Sequence, residues 1–248
     1  MPLLGTDDSL ETHNVKGSNF GFSATRIDTL GASEYTLVGI AVDASSSVSS
    51  FEKEINACLQ EVVKACRHSP RADNLMLRLV SFDSDLKEIH GFRPLSECNI
   101  DDYGSAVKPM GMTALYDATS NLTQSVTQYG KSLSASDFDV NAILIVITDG
   151  EDNRSSFTQH SVAQAFKDAV QSESLESVVS ILVGVNVTDP KIGNYLQSFK
   201  SEAGFTQYVE LKDANAKSLA KLADFVSQSI SAQSQALGTG GPSKSLSF

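Results

Sequence analysis

Three short stretches of this 248-residue chain combine oxygen-bearing side chains at spacings that could hold a hard cation. The first is Asp43-Ala44-Ser45-Ser46-Ser47, directly after an apolar run. Its alternate residues Asp43, Ser45 and Ser47 offer one carboxylate and two hydroxyls, and a tight turn leaving a strand can aim all three at one point. The second is Gly111-Met112-Thr113-Ala114-Leu115, a glycine turn that feeds a helix and presents the Thr113 hydroxyl near its start. The third is Thr148-Asp149-Gly150-Glu151-Asp152, an acidic loop after another apolar run. Hard oxygens suit Mg²⁺, Mn²⁺ or Ca²⁺ rather than zinc, which prefers nitrogen and sulfur. Taken alone, the first stretch also reads as an ordinary capped turn, because serine-rich turns after strands are common.

Whether the three stretches meet depends on the elements that carry them. Residues 37–42, 75–82, 142–148 and 178–185 are apolar runs rich in β-branched side chains, and three of the four lack polar alternation. That pattern marks strands buried on both faces, hence a parallel sheet covered by helices. Residues 206–211 make a shorter candidate. Residues 86–92 follow the second run after only Asp83, Ser84 and Asp85, too short for a crossover, so this strand pairs antiparallel as a hairpin. Amphipathic stretches fill the gaps. Phe51, Ile55, Leu59, Val62 and Cys66 form one stripe behind a Ser49/Glu52 capping-box spacing. Leu115, Ala118, Leu122 and Val126 form a second, in a helix opened by Thr113. Val162, Phe166 and Val170 mark a third, and Leu219, Leu222, Val226 and Ile230 the last. The expected fold is α/β: a doubly wound, mostly parallel six-stranded sheet with one antiparallel strand and helices on both faces. Such sheets bind ligands at the carboxyl ends of their strands, where all three oxygen-rich stretches fall.

With these loops in place, the sequence resembles the von Willebrand factor A family over roughly Tyr35 to Gln233. The resemblance implies a metal-ion-dependent adhesion site. The hydroxyls of Ser45, Ser47 and Thr113 would bind the cation directly, with Asp43 and Asp149 mostly acting through water. It also implies a binding module in which a partner's Asp or Glu completes the shell of Mg²⁺ (or Mn²⁺ or Ca²⁺). Glu151, Asp152 and Arg154 next to Asp149 form a candidate rim for that partner, or an ordinary polar loop. Family members inside bacterial cells commonly work in assemblies, several beside AAA-type ATPases, and such an assembly is a candidate partner. The expected layout is an N-terminal arm over residues 1–34, a von Willebrand factor A domain over 35–235, and a flexible Gly/Ser-rich tail over 236–248. Within the arm, Phe20, Phe22, Ile27 and Leu30 could add an edge strand or a packed clasp.

Composition narrows the rest. A net charge of −11 leaves no basic patch for nucleic acid. Three cysteines, Cys58, Cys66 and Cys98, form no CxxC pair, and Cys58 and Cys66 share a helix face as small buried hydrophobes. No run approaches the ~20 apolar residues of a membrane span. The first residues lack the basic and apolar regions of a signal peptide, so the expected location is the cytoplasm. No histidine or lysine in the site loops offers a general base, and no catalytic residue is assigned. Two rivals remain. One is a Mg²⁺-dependent phosphatase or phosphotransferase using Asp43. Against it, the second acid two residues on, found in haloacid dehalogenase-type phosphatases, is missing, as are GxxxxGK[ST], GxGxxG and GxSxG. The other is a structural subunit with a relic site.

Overall fold

A computed structural model describes residues 10–15, 20–242 and 246–248. The apolar runs are strands, and their burial explains the missing alternation. All of β4 (Leu75–Phe82) is buried, as are all but the first residue of β3 (Glu34–Asp43) and of β6 (Asp139–Thr148). Successive side chains point to opposite faces, so both faces must be apolar. Val38, Ile40 and Val42 meet α1 (Glu52–Arg67) and α6 (Ala216–Thr239) on one side. Leu37 and Ala41 face α3 (Leu115–Ser134) on the other, where α4 (Gln159–Val170) and α5 (Pro190–Ala203) complete the layer.

The six expected strands are all present, with β5 (Leu86–Pro94), β7 (Val178–Gly184) and β8 (Gln207–Glu210) beside the three above. The sheet nevertheless has eight strands, in the order β1-β2-β5-β4-β3-β6-β7-β8, because β1 (Leu10–His13) and β2 (Phe22–Thr25) come from the arm. β5 runs antiparallel to β4, as the short linker demands. β2 lies parallel to β5, so it also runs against the majority. The single antiparallel strand expected is therefore two. The remaining helix, α2 (Ile100–Tyr103), is one turn.

Three local expectations are corrected. Ser49 and Glu52 make no capping box: a 3₁₀ turn over Ser46–Phe51 precedes α1, and the Ser49 hydroxyl donates to the Ser46 carbonyl at 2.7 Å. Val170 is 67% exposed, because α4 ends there and the turn carries it past the core. The helix α6 runs to Thr239, four residues into the expected tail, and stops at Gly240 with φ +63. Beyond it, the Phe248 ring meets Phe225 edge-on at 5.4 Å. Residues 1–9, 16–19 and 243–245 of the arm and tail lie outside the described residues. Cys58, Cys66 and Cys98 are buried and free, and burial pushes the Cys58 and Cys66 thiols up to about 12.

The arm docks by close approach. His13 stacks on Phe22 at 4.7 Å, Phe22 meets Phe92 edge-on, and the Tyr129 hydroxyl donates to the Thr25 carbonyl at 2.8 Å. Gly91 of β5 leaves room for this: a Cβ there would lie 2.1 Å from the Ser23 carbonyl oxygen. Gly91→Ala should therefore push β2 away and cost roughly 1–3 kcal/mol, the usual penalty for overpacking. Amide hydrogen exchange at residues 23–25 should accelerate. Unchanged exchange there would show that the arm does not depend on this approach.

Candidate metal centre

The sheet brings the first and third loops together. β3 and β6 are parallel neighbours with Val42 opposite Ile147, so Asp43 and Thr148 end side by side. The Thr148 hydroxyl donates to Asp43 Oδ2 at 2.6 Å, and the Ser45 amide donates to Asp43 Oδ1 at 2.8 Å. Both carboxylate oxygens are thus oriented, and Asp43 is 2% exposed. The Ser45 and Ser47 hydroxyls lie 3.0 Å apart, and Ser47 donates to Asp149 Oδ1 at 2.8 Å. Ser45, Ser47 and Asp149 therefore form one hydrogen-bonded chain beside Asp43.

The second loop is stitched to both others. The Met110 amide donates to the Ala44 carbonyl at 2.8 Å, and the Ser46 hydroxyl donates to the Gly111 carbonyl at 3.0 Å. The Met112 amide donates to the Ser84 hydroxyl at 3.0 Å. Gly111 takes φ +72, and a Cβ would lie 2.6 Å from Ser84 Oγ, so this turn requires glycine. Thr113, which is buried, exchanges two bonds with Asn153: its amide donates to Asn153 Oδ1 at 2.8 Å, and its carbonyl accepts the Asn153 amide at 3.0 Å. Thr113 sits two residues before α3 rather than opening it.

Burial raises the pKa of Asp43 to about 6, against the opposing bonds from Thr148 and Ser45, and the neighbouring Asp149 charge adds to the rise. Asp149 is also raised, chiefly by burial, with Ser47 opposing. A cation would reverse both shifts by favouring the charged forms. The candidate donors are all oxygen: the Ser45 and Ser47 hydroxyls and the Asp43 and Asp149 carboxylates, which the structure brings together, and the Thr113 hydroxyl on the loop bonded to them; such donors fit a hard divalent ion. Among the described residues no three His, Cys, Asp or Glu side chains could hold a metal, so any site here depends on these hydroxyls.

The candidate rim divides. Glu151 and Arg154 are exposed. Asp152 instead braces its own loop: Oδ1 accepts the Ser155 hydroxyl at 2.5 Å and the Tyr116 amide at 3.3 Å, and its amide donates to the Tyr195 hydroxyl at 3.1 Å. Asp83 and Asp85 close the β4–β5 hairpin, with the Asp85 amide on Asp83 Oδ1 at 2.9 Å. Sequence reasoning missed three supporting residues. Thr148 orients Asp43, Asn153 locks Thr113, and Asp117 accepts the Ser156 and Phe157 amides at 3.0 and 2.7 Å. Thr148 carried a signal, a hydroxyl at the last position of a buried strand. Asn153 and Asp117 carried none, since their partners lie about 40 residues away.

Fold and site together define an open, mostly parallel α/β sheet with a cluster of hydroxyl and carboxylate oxygens at the carboxyl ends of its central strands. The family model of the von Willebrand factor type A domain matches residues 38–227, and the chain belongs to that family. Comparison with curated protein sequences found no match. Solved structures share the fold at low identity. A mutant of the PilB minor pilin from Streptococcus sanguinis has a TM-score of 0.61 at 15% identity, covering 89% of this chain and 66% of that one. The pilus adhesin SpaC from Lactobacillus rhamnosus GG has 0.60 at 10%, covering 92% and 36%. Proximal thread matrix protein 1 from the mussel byssus, with a zinc-occupied metal-ion-dependent adhesion site motif, has 0.53 at 18%, covering 82% and 47%. The chain spans less than two thirds of each of these proteins.

Proposed function

We propose that this chain is a metal-dependent protein-binding module. In this reading Asp43, Ser45, Ser47, Thr113 and Asp149 hold one divalent cation. The observation that carries it is the chain of Ser45, Ser47 and Asp149 beside a buried Asp43 whose two oxygens are both oriented. The bound cation would supply a positive seat for a carboxylate of a partner protein, a charge-assisted contact. The protein's own residues would support that seat: Thr148 and the Ser45 amide orient Asp43, and Asn153 fixes the backbone of Thr113. Pilus and byssus proteins of the same fold favour an interaction role. They offer no support for an AAA-type ATPase as the partner, so the proposal rests on the carboxylate alone. Mg²⁺ is the proposed ion, with Mn²⁺ and Ca²⁺ as alternatives. The zinc in the mussel protein makes Zn²⁺ a necessary arm of the test.

Metal titration followed by thermal or urea unfolding checks this. At free metal about 100 times Kd, the fold should gain about 2.7 kcal/mol. Thr113→Ala removes one hydroxyl without changing charge and should abolish most of that gain. A stability that ignores every divalent ion up to millimolar concentration would sink the proposal and favour a relic site.

A further inference from the structure

Met110 and Met112 are two of the four large hydrophobic side chains left exposed among the described residues, at 67% and 47%. Both stand on the loop that delivers Thr113 to the metal crevice. Their exposure is not that of a loose loop. The Met110 amide is bonded to Ala44, Gly111 to Ser46 and the Met112 amide to Ser84, and Gly111 occupies a conformation that other residues rarely adopt. A pinned backbone therefore holds two thioether side chains outward at one edge of the crevice. Methionine is enriched at protein interfaces, and its flexible, polarizable chain moulds itself to aromatic and aliphatic partners. Beyond Asp149, the other edge carries the exposed Glu151 and Arg154, of opposite charge. The net charge of −11 on the whole chain disfavours a segment with several acids.

We infer that Met110 and Met112 select the partner: the crevice takes a single Asp or Glu flanked, within about three residues, by an aromatic or aliphatic side chain that packs on the two methionines. This inference rests on the metal-site reading above. The cation would draw the acid, and the methionine edge would discriminate among acids by their neighbours.

Methyl-¹³C methionine NMR of the full chain tests it. The chain has four methionines, of which Met76 is fully buried and serves as the internal control. The probes are two capped heptapeptides with a central Glu, one flanked by Phe and Leu and the other by two Ser, each added in millimolar Mg²⁺. The apolar peptide should shift the Met110 and Met112 methyl signals and leave Met76 unmoved. The serine peptide should bind about tenfold more weakly, a difference near 1.4 kcal/mol. Replacing both methionines, Met110→Ser with Met112→Ser, should erase the preference while preserving the Mg²⁺-induced rise in Tm. Equal Mg²⁺-dependent affinities for the two peptides would overturn this inference alone. Binding that survives EDTA or a Glu→Gln change in the peptide, or no binding of either peptide, would overturn the carboxylate reading and this inference with it. Methyl shifts that grow with protein concentration in the absence of peptide would give the edge to a second copy, and would also overturn it.

Discussion

Glu88→Ala should be among the most damaging single substitutions in this chain, costing about 3–5 kcal/mol, the usual consequence of breaking a buried ion pair. Arg78 stands in the middle of β4 and is 1% exposed. Its Nε donates to Glu88 Oε2 on β5 at 2.7 Å, while its two terminal nitrogens donate to Ser125 at 3.0 Å and Asn121 at 2.9 Å on α3. The other Glu88 oxygen accepts the Ser23 amide at 3.0 Å and the Ser23 hydroxyl at 2.6 Å. One carboxylate thus neutralises the buried guanidinium and also anchors the arm strand β2. Burial alone lowers the Arg78 pKa and Glu88 opposes this, so removing the glutamate strands a charge that arginine does not give up. Urea unfolding measures the loss. The double variant Arg78→Met with Glu88→Leu should be less destabilised than Glu88→Ala, because it removes both charges together. It will not restore the wild type fully, since the Ser23 amide loses its acceptor. A Glu88→Ala loss below about 1 kcal/mol would place this pair with surface salt bridges, whose contributions are that small.

The contrast between this network and the candidate metal centre shows what could be read from sequence. Long β-branched runs such as residues 142–148 announce themselves, because strands covered on both faces need apolar side chains at every position. The crevice then follows from topology: once β3 and β6 are parallel neighbours, Asp43 and Asp149 must leave the sheet on the same edge. Arg78 was hidden for the same reason. It interrupts an apolar run, and its three partners come from β5 and two turns of α3, which no local pattern connects. The strands β1 and β2 have four residues each, and β2 meets β5 at the single register pair Ala24 and Phe92. Their place is set by aromatic contacts and by the space at Gly91, not by periodicity. Helix stripes were legible in α1, α3, α4 and α6, whereas α5 was not read, although its Leu196, Phe199 and Ala203 are buried against the same core. The α4 stripe failed at Val170, where the period continued but the sheet did not. The Ser49/Glu52 spacing matched a capping box, yet the chain spends that stretch in a 3₁₀ turn that carries Ser47 to Asp149.

In EDTA, Asp43→Asn should leave the fold as stable as the wild type at neutral pH, or more so, while abolishing the gain from Mg²⁺. The metal-free carboxylate has its pKa raised to about 6 by burial and by Asp149, whereas an unfolded aspartate titrates near 3.9. Between those values the folded state binds more protons than the unfolded state. The stability contributed by Asp43 should therefore fall as pH rises from about 4 to 6 and then level off. The loss should total about 3 kcal/mol, at roughly 1.4 kcal/mol for each pH unit between the two values. An asparagine does not ionise, so this part of the pH dependence should vanish in the variant. Its side chain can still satisfy the pocket: the amide oxygen accepts the Ser45 amide, and the amide nitrogen can donate to the Thr148 hydroxyl, which already accepts the Gly150 amide at 3.3 Å. Under the proposed function, a bound metal would reverse the sign for the wild type. The cation favours the ionised form, so Mg²⁺ affinity should weaken as pH drops below about 6 and protons compete for Asp43. Urea unfolding from pH 4 to 8, with and without Mg²⁺, separates these effects. A large loss of apo stability in Asp43→Asn would instead make Asp43 a turn-forming residue, valued for its bonds to Ser45 and Thr148. A wild type whose apo stability is flat across that range would remove the electrostatic strain on which this expectation stands.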